Sequence, residues 1–167
     1  MKKSLLIVLT VTLLLAGVAP AAYIKYRTVP VISKDIQKKV GFTIFVPNKS
    51  DHAWTIDSKK INYDEKIGVL YTTLYKAGTS NRITMTQQVL PSPFSDIPNY
   101  SAVFLGKLNQ YSELNVAIGT VALTRPTELK GGQSAVLNVR GTLMFLHPDQ
   151  NLGEDIWKDV FTTLQAL

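Results

Sequence analysis

Past residue 40 the chain alternates between apolar and polar positions with the period of two that extended strands show, interrupted by short clusters of turn residues. The clearest stretch is Arg82 to Leu90, where Ile83, Met85, Gln87 and Val89 share one side and Thr84, Thr86 and Gln88 the other. Ile67 to Lys76 precedes it, rich in β-branched and aromatic types, and Ala77 to Asn81 is a turn, so the two segments are predicted to form a hairpin. Phe42 to Val46, closed by Pro47, and short extended pieces at Trp54 and Ile56 and at Ile61 and Tyr63 come before it. Downstream, Leu114 to Ile118 and Val121 to Leu123 flank Gly119-Thr120, and Ser134 to Val139 and Thr142 to Leu146 meet across Arg140-Gly141. Each of these pairs is predicted to be a further hairpin.

Three segments switch to the helical period. Ser33 caps a brief helix through Ile36 to Val40, with Asp35 in its first turn and Gly41 as a left-handed stop. Tyr100 to Tyr111 gathers Val103, Phe104, Leu105 and Leu108 on one side. Near the carboxyl end, Ile156, Trp157, Val160, Phe161 and Leu164 recur at helical spacing behind Asp149, Asn151 and Glu154-Asp155, which suit a helix start. Pro91, Pro93 and Pro98 make the stretch between the second hairpin strand and the middle helix a loop, since none of them can donate to a ladder. Helix, strands, helix, strands and helix with short connections predict an α+β fold: an antiparallel sheet of roughly 5–8 strands covered by helices as an α/β/α-type sandwich.

The opening of the chain has neither period. Ser4 to Ile24 carries no charge and is bracketed by Lys2-Lys3 and by Lys25 and Arg27. At ~1.5 Å per residue that stretch covers about 30 Å as a helix, the thickness of a bilayer hydrocarbon core, and Tyr23 and Tyr26 suit the interface. It is therefore expected to be one transmembrane helix, with residues 1–27 the anchor, 28–32 a short linker around Pro30, and 33–167 an extracytoplasmic domain. The rival is a cleavable export signal, whose small residues Ala19-Pro20-Ala21 would release the chain after Ala21.

Composition narrows the function more than it defines it. The 167 residues are enough for one domain, and the absence of cysteine removes disulfides, thiolate metal sites and a cysteine nucleophile. The net charge of +6 is concentrated at Lys2, Lys3, Lys25 and Arg27; setting those aside leaves a body nearly balanced against its 12 acidic side chains. No basic stripe is present, so nucleic acid is not expected as a partner.

Val40-Gly41-Phe42-Thr43-Ile44-Phe45-Val46-Pro47, the Ile83 to Gln88 strand, and the ending in which Gly132, Ala135-Val136-Leu137 and Gly141-Thr142-Leu143 precede an amphipathic helix resemble bacterial membrane-anchored extracytoplasmic domains of unknown function, as in anti-sigma-factor-like proteins. The element order is similar to the Mog1/PsbP-type sandwich. The resemblance implies fold and compartment and brings no active site.

Chemistry is sparse. His52 lies in a polar loop and His147 precedes Pro148; no G-x-S-x-G is present, and Gly132-Gln133-Ser134 lacks the second glycine of a nucleophile elbow. Asp57 with Asp64-Glu65, and Asp149 with Glu154-Asp155, are the only carboxylate groupings, and the second reads as helix capping. No catalytic residue, metal ligand or cofactor is assigned. A partner surface would be built from His52, Trp54, Phe94 and Tyr100. The leading expectation is a non-enzymatic, single-pass envelope domain for binding or sensing, held in the membrane through residues 4–24 and meeting an unknown envelope protein or a small ligand. The second is an exported carrier that holds a small apolar ligand in a pocket of at least ~300 Å³ between sheet and helix. The third is an envelope hydrolase.

Overall fold

In the computed structural model, which describes residues 31–48, 54–91, 111–124 and 132–167, the alternating segments fold into a sheet of eight antiparallel strands. These are β2 (Trp54–Ile56), β3 (Asn62–Asp64), β4 (Val69–Lys76), β5 (Arg82–Val89), β6 (Tyr111–Val116), β7 (Gly119–Thr124), β8 (Ala135–Val139) and β9 (Thr142–Pro148). Their order is β2-β4-β5-β9-β8-β7-β6, with β3 also paired to β4. The three predicted hairpins are present as β4–β5, β6–β7 and β8–β9.

Period two decides which residues enter the core. Cross-strand register lines up Leu74 with Ile83, Met85 with Leu146, Leu146 with Ala135 and Leu123 with Ala135 on one face of the sheet. Against that face lies helix α2 (Glu154–Thr163), burying Trp157, Val160 and Phe161 in the same cluster. Removing a phenylalanine side chain such as Phe161 from water contributes about 1.5–3 kcal/mol.

The rest of the inner layer is a ribbon that hydropathy does not announce. Beyond α2 the chain straightens into β10 (Leu164–Ala166), which pairs antiparallel with β1 (Phe45–Pro47) as a separate two-stranded unit. Leu164, expected on the apolar face of the final helix, is instead a strand residue opposite Pro47. Gln87, fully buried on the inner face of β5, joins this ribbon to the main sheet. Its Oε1 accepts from the Phe45 N–H at 2.7 Å and its Nε2 donates to the Phe45 carbonyl at 2.9 Å, replacing a neighbouring strand for that residue.

Local signals hold in part. Ser33 caps α1 (Lys34–Lys39) through its hydroxyl, which accepts from the Ile36 N–H at 3.3 Å. The helix ends because Val40 turns extended, and Gly41 is not left-handed. The start of α2 is Gly153, with no side-chain cap, so Asp149 and Asn151 do not cap it; Glu154 and Asp155 occupy its first turn. The turn of β6–β7 falls on Ala117-Ile118 rather than Gly119-Thr120. The expected middle helix lies outside the described residues except for Tyr111, which begins β6.

The α+β assignment therefore stands, and the transmembrane helix attached to it is corrected. Among the described residues no helix is long and apolar enough to cross a membrane. Residues 4–24, on which the anchor, the membrane partnership and the single-pass extracytoplasmic localisation rested, lie outside the described residues, and those readings are withdrawn.

Candidate functional site

Every buried polar side chain so far has a partner, and the pattern extends through the core: among the described residues no buried side-chain nitrogen or oxygen lacks a hydrogen bond. Gln133 Oε1 accepts from the Leu152 N–H at 2.9 Å and from the Trp157 indole N–H at 2.8 Å. Thr142 Oγ1 donates to the Thr43 carbonyl at 2.7 Å. Polar groups in the interior are thus committed to holding the fold, which directs attention to its margins.

At one margin the two layers part. A cleft of about 310 Å³ lies between the β1–β10 ribbon and the turns of the β6–β7 and β8–β9 hairpins. Phe45, Leu164 and Ala166 line it from the ribbon, Ile118 and Val139 from the hairpins, while Ala117, Arg140 and Gln165 complete the rim. Phe45 and Leu164 are buried core members, and Ile118, Val139 and Ala166 are half-buried residues packed on the same core. The cleft is the mouth of the interlayer space, walled by side chains at both depths. A second cleft, of about 240 Å³, runs between α1 and β3, where Lys39 and Glu65 pair with each other.

Arg140 occupies an unusual backbone position. It and Gly141 form the two-residue connection between Val139 and Thr142, with φ of 49° and 75°. Both positive values define the mirror-image turn that matches strand twist, and asparagine is the ordinary residue at its first position. A left-handed arginine is uncommon, because its Cβ crowds the backbone.

Of the residues expected to form a partner surface, only Trp54 lies among the described residues. Trp54 is only 3% exposed; it is a strand residue whose indole N–H donates to Asp159 Oδ2 at 3.1 Å, where Lys76 Nζ also binds at 2.8 Å. His52, Phe94, Tyr100 and the cleavage residue Ala21 lie outside the described residues. His147 is exposed on the outer sheet face, its Nδ1 3.0 Å from Ser134 Oγ. A serine nucleophile requires its histidine to be held by a third group. No such group reaches His147 among the described residues, and the pair sits on open sheet. The carboxylates are dispersed: Asp57 caps the Ser58–Lys60 turn, Asp64 accepts from the Lys66 N–H, and Glu154 pairs with Lys158. Among the described residues no three His, Cys, Asp or Glu side chains form a group that would hold a metal ion.

Sequence reasoning passed over the cleft. Arg140-Gly141 reads as a turn, Ile118 as a strand end and Leu164 as helix, and their convergence depends on the β1–β10 pairing. The one signal was Gln87, an amide in the apolar set of its strand.

The chain matches no family model, no curated protein and no solved structure. The resemblance to anti-sigma-factor-like extracytoplasmic domains and to the Mog1/PsbP sandwich is accordingly not upheld.

Proposed function

We propose that the domain is a non-catalytic binding module that carries a small, largely apolar ligand in the interlayer mouth. The observation that supports this is the cleft between ribbon and hairpins, about 310 Å³, at the small end of the range that ligand sites occupy. The middle helix that the expected pocket needs lies outside the described residues, and the interior between sheet and α2 is filled by Trp157, Phe161 and their neighbours, which leaves the edge of the core for the ligand. The reading concerns the folded domain, whatever precedes residue 31.

The test uses N-phenyl-1-naphthylamine, a neutral dye that brightens in apolar surroundings, added to the full chain. Wild type is expected to bind it saturably, and Ile118→Trp, which fills the mouth from the rim, to weaken binding at least tenfold without lowering the urea midpoint. Equal binding by the two proteins would refute the assignment.

A further inference from the structure

We infer that the ligand of this cleft is an amphiphile with a single anionic head, an alkyl carboxylate in chemical class, and that Arg140 reads that head. The inference rests on the carrier reading and adds the polarity and orientation of the ligand. Among the described residues Arg140 is the only charged residue that lines the cleft. Elsewhere in the described fold Lys39 pairs with Glu65, Lys76 with Asp159 and Lys158 with Glu154, and Arg82 lies over the ring of Tyr75 at 5.5 Å; none of these cations lines the cleft. Arg140 has no such partner among the described residues, and its planar fork of donors suits a carboxylate approached in its own plane.

The backbone gives an independent reason. Arginine stands at the left-handed first position of a tight turn where asparagine fits with less strain, and the turn needs nothing from its guanidinium. Strained positions of this sort persist where the side chain serves something other than stability. This one lies at the rim, with Val139 immediately before it on the wall and Ile118, Phe45 and Leu164 behind. The rim cation and the half-buried apolar side chains beside it, Ile118, Val139 and Ala166, give the direction: head toward the β8–β9 turn, tail toward the ribbon.

Decanoate and decanol, which share a chain and differ in the head, are the probes, each titrated against dye bound to the full protein. Decanoate is expected to displace the dye at least tenfold more effectively than decanol, and Arg140→Gln to remove that preference while leaving decanol unchanged. A charge-assisted hydrogen bond supplies a factor of this size. Arg140→Lys keeps the charge without the fork and should fall between. If decanol competes as well as decanoate, or if Arg140→Gln weakens both alike, the anionic head is wrong and the carrier reading stands. If the dye binds wild type and Ile118→Trp equally, the carrier reading falls and this inference with it. Matched urea midpoints for wild type and the variants separate either outcome from unfolding.

Discussion

Gln87 shows how much one side chain can carry in this fold. It is fully buried, and among the described residues its amide is the only hydrogen-bond partner of the Phe45 N–H and C=O on the side facing away from β10. Gln87→Leu conserves bulk but leaves a buried donor and a buried acceptor unpaired, at roughly 1–3 kcal/mol for each group. The expected result is a lowered urea midpoint with little change in slope, compared with Gln88→Leu on the opposite side of the same strand. Equal losses in the two variants would show that the amide bridge contributes nothing. Sequence alternation placed Gln87 on the core side, and nothing local says what an amide does there. Its partner is 42 positions away along the chain.

At the scale of elements, the turn of β8–β9 makes a prediction of opposite sign. Arg140→Asn relieves a left-handed arginine and is expected to raise stability by up to about 1 kcal/mol, read from chemical denaturation. An unchanged or lower stability would mean that the arginine is not strained. If decanoate binding weakens in the same variant, stability and function oppose each other at one residue. The elements that were readable are those whose signal is local. The β4–β5 hairpin needs only alternation and a glycine-containing turn, and α2 needs only an apolar stripe. The elements that were misread depend on distant partners. Trp54 was expected to be extended but to face a partner, whereas pairing with Lys76 on β4 and the cover of Asp159 over its indole bury it. Leu164 continues the helical stripe in sequence, and only the pairing with β1 draws it and the two residues after it straight. Since the cleft is bounded by β10, the candidate site was hidden for the same reason.

For the molecule as a whole, the surface charges matter at one end of the pH scale. Hydrogen bonding to Glu65, and then its negative charge, hold the Lys39 ammonium above the usual lysine range, and Glu154 does the same for Lys158. A lysine whose folded value is raised stabilises the fold fully below its unfolded value of ~10.4, and that contribution disappears as pH rises through the folded value. The stability difference between wild type and the double variant Glu65→Gln, Glu154→Gln should therefore be constant from about pH 7 to 9 and shrink above ~10.4. Both pairs are exposed, so added salt should reduce the difference at every pH. A difference that grows with alkalinity would contradict the pairing.

The β1–β10 ribbon also imposes an order in time. β1 is among the first strands of the domain to leave the ribosome and β10 is the last, so Phe45 waits for Ala166 through the synthesis of nearly the whole domain. Every strand of the eight-stranded sheet has been made by residue 148, whereas α2, which covers its inner face, and the ribbon wall of the cleft have not. A nascent chain halted after β9 would carry all the strands with their inner face bare and the cleft unbuilt, so residues 154–166 close the core and complete the candidate site together.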